Sequence, residues 1–478
     1  MTLRSTSEAG IATEPWRMSA AELAVAIRSR QLSSREVIEA LLRRIEAVNP
    51  RINAVTTVLA ETSIAAARQA DAAVAHGDHL PTFHGVPFTV KENIDLLEAP
   101  TTQGLRALSG AYPVRDAPVV ERMRWSGAIP IAHTNCPNIA VRWHTDSELW
   151  GSTLNPWDRS RTVGASSGGE AAALASGMTP LGLGSDGLGS LRWPAQCCGV
   201  VALKPSLGRI PHATSLEPMD APLGVQLTAV EGPMARRVAD LRSALEVLSG
   251  PTWRDPWAVP TPMRIPYSEA RIRVAFVANP SGHGVAPQVE AGIHKAAVAL
   301  ADAGYALEEV EPPSIDRAAK VLLDMLNTPD VRAMWETTSK ILPSDTQRFL
   351  SAFYEAAGNP GPVDVMLSFV ERASLARRWA EFQETYPLVL APISANVPFE
   401  VGTDLNEGNV AETIEDMRMA MAVNALGLPA VAVPVGVGDG LPQVVQLIGP
   451  RYREDVCLDA AQAVEDRLGT LTPIDPKW

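Results

Sequence analysis

The chain has 478 residues, of which 46% are hydrophobic and 20% are charged, so an ordinary globular protein with a sizeable core is expected. The formal net charge of −13 argues against nucleic acid or an anionic membrane surface as a partner, because both require a basic face. No stretch reaches the roughly 20 apolar residues of a membrane helix, and the N-terminus lacks the apolar segment of a signal peptide. These features predict a cytoplasmic protein with a small-molecule partner.

The first 77 residues have the pattern of helices. Ser19 and Ser33 each begin a capping box that is followed by an apolar helical stripe. Pro50 is expected to stop the second helix, because proline disfavours helical backbone in the residue before it. A third, alanine-rich helix is predicted from about residue 62 to residue 76, with Gly77 at its end.

The hydrophobic period changes to two after Gly85, which predicts a strand that ends near Lys91. A helix and a strand are predicted at 118–125 and 128–133, followed by an irregular stretch at 136–164. Further helices are predicted at 169–177, 289–303 and 454–468, and helical sequence with Pro/Gly breaks at 343 and 358–362 is predicted from about 315 to 384. Further strands are predicted at 181–183, 273–277, 388–392 and 430–434. This alternation predicts an α/β fold in one large unit.

Two loops rich in small residues carry the strongest chemical signal. The first is Gly164-Ala-Ser-Ser-Gly-Gly-Glu170, and the second is Gly184-Ser-Asp-Gly-Leu-Gly-Ser190. Glycine-rich backbone can approach a substrate closely and direct N–H groups at a developing oxyanion, and each loop also supplies a serine. Either loop alone would indicate a turn with capping serines, but two at this spacing indicate a catalytic site.

Two common loop motifs do not fit these segments. Neither loop has the Gly-Lys-Ser/Thr ending of a phosphate-binding P-loop. Residues 164–168 match the G-x-S-x-G of α/β-hydrolases, but no strand is predicted before them, and the last histidine, His294, comes too early for a late catalytic histidine. Histidine is scattered, and the four cysteines (136, 197, 198 and 457) lack metal-ligand spacing, so we expect no metal, no cofactor and no disulfide framework; Cys197 and Cys198 are expected to be buried.

Lys91 is the first of only six lysines in the chain, and it lies on an apolar predicted strand. Unlike arginine, lysine can lose its proton when it is desolvated, and the neutral amine can act as a base toward a serine. The alternative is a buried lysine that pairs with Glu92 or Asp95.

The run from Gly164 to Ser206, with Leu203-Lys-Pro205, resembles the amidase signature family. So do the segments at 85–93, 232–236, 424–429 and 441–449. The resemblance covers nearly the whole chain and is weakest from about 310 to 385. It implies an α/β/α sandwich around a large mixed, twisted β-sheet, with a single domain over 1–478, a motif-rich core at 84–250 and 388–450, and a variable, mostly helical substrate lid at about 310–385.

The resemblance also implies the catalytic roles. Ser190 would be the nucleophile, Ser166 would be a bridging serine held by a cis peptide bond, and Lys91 would be the base that receives the Ser190 proton through Ser166. The product would be an acyl-enzyme that water hydrolyses.

The resemblance implies an oxyanion hole formed by the backbone N–H groups of Gly187, Leu188, Gly189 and Ser190. It also implies three supporting residues that hold the loops, namely Ser167, Asp186 and Arg192. Ala165 and Leu188 stand where the family usually has glycine. A positive φ at Leu188 would be strained.

These features predict hydrolysis of neutral, apolar or aromatic amides or carbamates (urethanes), by a monomer or homodimer that resembles urethane-cleaving or aryl-amidase members of the family. Aromatic residues near the catalytic loops and in the lid are candidate substrate contacts, namely Trp143, Trp150, Trp193 and Trp335, with Met325, Met334, Phe353 and Met366 as further lid candidates.

Two other functions compete with this one. The glutaminase subunit of a tRNA-dependent amidotransferase shares the three catalytic residues, but its Tyr-Gly and Ser-Leu-Asp-Gln signatures are missing after residue 206. A non-catalytic binding homologue would have no physical reason to keep a buried lysine beside two serines.

Overall fold

The computed structural model describes residues 14–217, 219–264 and 272–478. Thirteen strands lie in these ranges: β1 Val55–Val58, β2 Pro87–Lys91, β3 Ile129–Thr134, β4 Asp146–Ser147, β5 Gly151–Ser152, β6 Leu181–Asp186, β7 Val201–Lys204, β8 Val230–Ala235, β9 Arg273–Phe276, β10 Ala306–Glu309, β11 Leu388–Ala391, β12 Ala430–Gly438 and β13 Leu441–Ile448.

Sixteen α-helices lie in the same ranges: α1 Ala20–Arg28, α2 Ser34–Ile52, α3 Ala60–His76, α4 Pro118–Trp125, α5 Gly168–Ala175, α6 Arg192–Cys198, α7 Leu223–Gln226, α8 Val238–Leu248, α9 Pro287–Asp302, α10 Ile315–Met325, α11 Pro329–Thr338, α12 Ser344–Ala357, α13 Pro362–Thr385, α14 Glu407–Asp416, α15 Arg418–Leu426 and α16 Glu454–Leu468. In the described part of the chain, no helix is long and apolar enough to cross a bilayer.

Eleven of the strands form one mixed sheet in the order β1-β3-β2-β6-β8-β7-β12-β13-β11-β9-β10. The pairs β2–β3, β2–β6, β9–β10 and β9–β11 are parallel, and the other pairs are antiparallel. Helices pack against this sheet over a large buried core. The predicted large mixed sheet with flanking helices is therefore confirmed.

The parallel pair β2–β6 places Lys91 next to the second glycine-rich loop. Thr89 lies opposite Gly182, and Val90 lies opposite Leu183. Because parallel strands end at the same edge of a sheet, Lys91 at the end of β2 comes next to the loop that follows β6. Every residue of β2 is buried, so this lysine enters the protein interior rather than solvent.

Local signals in the sequence located several helix boundaries, although the helices α6, α7, α8, α14 and α15 were not predicted. Ser19 and Ser33 each form the predicted capping box with the glutamate three residues later. Gly77 ends α3 with a φ of +80°, a conformation that glycine adopts without strain. The helices α4 and α16 begin and end where they were predicted.

The prediction that Pro50 ends the second helix is wrong. The helix α2 continues to Ile52 and ends at Asn53, whose φ of 58° is left-handed. The Asn49 side chain accepts hydrogen bonds from the backbone N–H groups of Ala54 and Val55, each at 2.8 Å. Proline lies in the last turn, where one lost backbone hydrogen bond is tolerated because Asn49 holds the chain that follows.

Five strands of the central sheet were not predicted, namely β1, β7, β8, β10 and β13. Two of them contain residues that usually interrupt strands, because Gly232 and Pro233 lie in β8 and Pro442 lies in β13. The strands β7, β8 and β13 are buried along their whole length. Their sequences therefore lack the alternation of apolar and polar residues that identifies a half-exposed strand.

Candidate active site

Lys91 is completely buried at the end of β2 and contacts two hydroxyl groups. Its Nζ lies 2.6 Å from Ser166 Oγ and 2.8 Å from Ser185 Oγ. Burial lowers the pKa of Lys91 to about 8, although the nearby acidic groups oppose this shift. The uncharged amine is therefore much more populated near neutral pH than it is in an exposed lysine, whose pKa is about 10.4.

The alternative role for Lys91, as the partner of a neighbouring carboxylate, does not match the structure. Glu92 accepts hydrogen bonds from Thr102 and from the Trp150 indole. Asp95 accepts from Thr101, Thr214 and Ser215. Lys91 has no ion-pair partner among the described residues, so burial dominates its electrostatics.

The loop that carries Ser166 has the predicted cis peptide bond, between Ala165 and Ser166. Gly164 before it has a φ of +79°, and a Cβ there would lie 2.6 Å from the Cα of Pro194. Glycine is therefore required at 164 for both conformation and space. Ala165 is completely buried and replaces the usual glycine without a positive φ.

Ser190 lies on the loop between β6 and α6, and its half-buried side chain lines the same cavity as Ser166. Its carbonyl accepts a hydrogen bond from the Ser167 N–H at 3.2 Å, which joins the two loops. The Ser190 hydroxyl forms no hydrogen bond with any residue in the described ranges, including Ser166. In many enzymes without substrate, catalytic hydrogen bonds close only when the substrate binds.

One of the predicted oxyanion donors is already engaged, which is a correction. The Gly189 N–H donates to Asp186 Oδ1 at 2.8 Å. The N–H groups of Gly187, Leu188 and Ser190 have no acceptor within the described part of the chain. Leu188 does not have a positive φ, so the expected strain is absent, and the positive φ of +97° falls on Gly189 instead.

Asp186 and Arg192 form a buried pair beneath this loop, and both side chains are fully inaccessible to solvent. Arg192 binds Asp186 in a bidentate manner, with distances of 3.0 and 3.1 Å. Burial would raise the pKa of Asp186, but the Arg192 guanidinium holds it well below its usual range. Gln446 and Asn424 satisfy further Arg192 N–H groups, so this pair connects the loop to β13 and α15.

Ser185 is a site residue that the sequence analysis missed. Its hydroxyl is the second acceptor for Lys91, and it lines the cavity. Its position could have indicated this contact, because Ser185 lies directly before Asp186 at the end of β6, a strand that runs parallel to β2.

Glu170 was also missed as a neighbour of the site. It is fully buried and accepts from Thr89 and Thr134, and burial raises its pKa to about 8. A Cβ at Gly182 would collide with its carboxyl group, so Glu170 lies against β6 below Lys91.

Ser166 and Ser190 open into a cavity of about 380 Å³. Side chains from α11 and α12 form one wall of this cavity, namely Val331, Met334, Trp335, Phe349, Leu350, Phe353 and Tyr354. Three of the predicted contacts, Met334, Trp335 and Phe353, therefore line the same cavity as Ser166 and Ser190.

Three of the predicted tryptophan contacts do not line this cavity. Trp143 packs edge-on behind Phe349, with ring centroids 5.5 Å apart. The Trp150 indole N–H is taken up by Glu92 at 2.7 Å. Trp193 stacks on Phe399 and faces a different cavity of about 300 Å³. Nearness in sequence to the two glycine-rich loops therefore did not place these rings in the cavity that Ser166 and Ser190 line.

Two of the predicted lid contacts also lie elsewhere. Met325 is buried in a separate part of the core, and Met366 on α13 is 65% exposed on the surface. Among residues 14–217, 219–264 and 272–478, no group of three or more His, Cys, Asp and Glu side chains could hold a metal ion.

Comparison with known proteins places these features in a family. A family model described as Amidase matches residues 36–458. The chain is 40% identical to an indoleacetamide hydrolase of Bradyrhizobium diazoefficiens, covering 95% of this chain and 87% of that protein. It is 32% identical to a glutamyl-tRNA(Gln) amidotransferase subunit of Chloroflexus aggregans, covering 94% and 96%. A bacterial aryl acylamidase of the amidase signature enzymes has a similar structure, with a TM-score of 0.82, 26% identity and coverage of 95% and 97%.

The state of Lys91 gives the first prediction. Lys91→Arg should lower turnover nearly as much as Lys91→Ala, by about 10²–10⁴-fold, because a guanidinium with a pKa above about 12 cannot accept a proton. In the unsubstituted protein, kcat/KM should rise with pH through about 8, because the base must be uncharged. A profile that stays flat from about pH 6 to 9 would contradict this role.

The buried ion pair gives the second prediction. Asp186→Asn leaves the Arg192 charge buried without its carboxylate, which should cost about 3–5 kcal/mol in the free energy of unfolding. Urea denaturation measures this loss. The matched control is Glu308→Gln, which removes an exposed pair with Arg273 and should cost less than about 1 kcal/mol. Similar losses for both substitutions would rule out the supporting role of Asp186.

Proposed function

The chain belongs to the amidase signature family and hydrolyses amides, and from that premise we propose that Ser190 is its nucleophile, Ser166 its proton relay and Lys91 its base. The observation that carries this proposal is the 2.6 Å contact between the buried Lys91 Nζ and Ser166 Oγ, in a cavity that Ser190 also lines. An uncharged amine beside a serine hydroxyl is the arrangement that base-assisted attack requires.

The proposed reaction has two halves. As Ser190 Oγ bonds to the amide carbon, its proton passes to Ser166, whose own proton passes to Lys91. The developing oxyanion is held by the free N–H groups of the loop, those of Gly187, Leu188 and Ser190. The proton then returns through Ser166 to the amide nitrogen, the C–N bond breaks, and the amine leaves. Water next attacks the acyl-enzyme by the same proton path and releases the acid.

The preferred substrates are neutral and apolar or aromatic. Of the described residues that line the catalytic cavity, none is Asp, Glu, Lys or Arg. An ionic substrate would therefore lose its hydration without gaining a charged partner. The aromatic wall from α11 and α12, including Trp335 and Phe353, suits a ring, and these helices act as the lid of the site. The names of the indoleacetamide hydrolase and the aryl acylamidase also indicate aryl-bearing amides.

Carbamates belong to the same proposal. Attack on the carbamate carbonyl breaks a C–N bond by the same steps, and the additional oxygen on the acyl side needs no further catalytic group. Aryl carbamates should therefore be cleaved along with aryl amides and anilides.

The glutaminase subunit of a tRNA-dependent amidotransferase is the second candidate, because the chain is 32% identical to a protein of that kind. Glutamine carries a charged amino group and a carboxylate, and the cavity lining offers neither group an opposite charge. Co-purification of partner subunits, together with glutamine hydrolysis that depends on them, would favour this candidate over the first.

Covalent labelling tests the catalytic roles. Ser190→Ala should abolish both turnover and labelling by a serine-reactive sulfonyl fluoride, detected by intact-protein mass spectrometry. Ser166→Ala should retain the nucleophile but react much more slowly, because the proton relay is missing. If labelling persists in Ser190→Ala and disappears in Ser166→Ala, Ser166 is the nucleophile and the proposed roles are wrong.

A substrate series tests the preference. Phenylacetamide, anilides and aryl carbamates should exceed acetamide, malonamate and free glutamine in kcat/KM, with about 1–3 kcal/mol of discrimination for each buried ring. Phe353→Ala should reduce the advantage of the ring, whereas Trp125→Ala, at a position that is 72% exposed, should not. Equal or faster hydrolysis of the small ionic substrates would contradict the preference and leave the catalytic residues unaffected.

A further inference from the structure

A second cavity of about 440 Å³ adjoins the catalytic cavity. The two cavities share four lining residues, His212, Ala221, Val225 and Ala229. Ala229 also lies beside the oxyanion loop, because a Cβ on Gly187 would be 3.8 Å from the Ala229 methyl group. The boundary between the cavities is therefore next to the place where the C–N bond would break.

The two cavities differ in chemistry. The catalytic cavity has an aromatic and aliphatic wall from α11 and α12 and no lining Asp, Glu, Lys or Arg among the described residues. The second cavity is lined by charged side chains, namely Arg115, Asp220, Arg254 and Asp255, and by the hydroxyl residues Thr214 and Ser215. The catalytic cavity thus suits an apolar group that stays in place, and the second cavity suits a group that leaves into water.

Aromatic side chains form the mouth of the second cavity. Trp253 is 83% exposed and Trp257 is 41% exposed, although burial of an indole ring is strongly favourable. The guanidinium carbon of Arg115 lies 5.7 Å from the Trp253 ring centroid. Exposed indole rings at the edge of a cavity offer a stacking surface for a planar ligand.

We propose that the second cavity receives the leaving amine, and that the preferred substrates are N-aryl amides with a ring on each side of the scissile bond. This inference rests on the proposed function. During the reaction the acyl group stays bonded to Ser190, while the amine, having taken the proton returned through Ser166, must leave before water can attack. The cavity beside Ala229 gives the amine a place to leave from without disturbing the acyl group in the apolar cavity.

A pair of substrates with one acyl group tests the proposal. Phenylacetamide and phenylacetanilide give the same acyl-enzyme, so deacylation is identical, and a difference in kcat/KM reports on the amine alone. Val225→Phe inserts a ring between the cavities and should lower kcat/KM for the anilide at least about tenfold relative to the primary amide. The matched control, Leu223→Phe, adds the same ring on α7 at a position that is 46% exposed, and should leave the ratio unchanged.

Trp253→Ala provides a second measurement at a surface position where folding is not affected. It should raise KM for the anilide and leave phenylacetamide unchanged. Two results together would overturn the proposal. In Val225→Phe, kcat/KM would fall equally for both substrates or for neither. In Trp253→Ala, the KM for the anilide would be unchanged. Failure of the proposed function is distinguishable, because the unsubstituted protein would then hydrolyse neither substrate and Ser190 would not be labelled.

Discussion

Burial of Lys91 without a carboxylate partner is the constraint on which the site depends. Water stabilises an ammonium ion strongly, so its removal favours the uncharged amine and brings the pKa down to about 8. Two hydroxyl groups, from Ser166 and Ser185, can hydrogen-bond to either state of this amine, whereas a carboxylate would have fixed the charged state. The parallel pairing of β2 with β6 brings Lys91 beside Ser185, and the loop before α5 brings Ser166 to the same amine.

A second buried basic residue, Arg192, differs from Lys91 because it has a carboxylate partner. It is fully paired with Asp186 and bound to side chains from α15 and β13. Asp186 also takes up the N–H groups of Gly189 and Leu191, which shapes the loop and leaves other N–H groups free. Arg192 is thus kept ionised and holds a backbone loop in place, while Lys91 has no ion pair among the described residues, which suits the proposed exchange of a proton.

The sequence predicted the parts of the site that follow from local chemistry. Lys91, Ser166 and Ser190 were predicted from a rare lysine, two glycine-rich loops and the resemblance to the amidase signature family, and the structure places Lys91 against Ser166 beside a cavity that Ser190 also lines. Ser185 was missed because its role depends on the neighbour of its strand, and Gly189 was misassigned because its N–H is taken by a side chain three residues earlier. Trp143 and Trp193 are close to the loops in sequence, but their rings face other parts of the core. Long periodic helices were predicted well, whereas the buried strands β7, β8 and β13 have no periodicity to detect.

Direct titration of Lys91 tests the central claim. The chain has six lysines, so NMR spectra of protein carrying ¹³C-labelled lysine side chains are simple, and the resonance lost in Lys91→Arg identifies Lys91. We expect this resonance to titrate near pH 8, well below the ordinary lysine value of about 10.4. A Lys91 resonance that titrates at or above the ordinary value would show that the amine stays charged, and would contradict its role as the base.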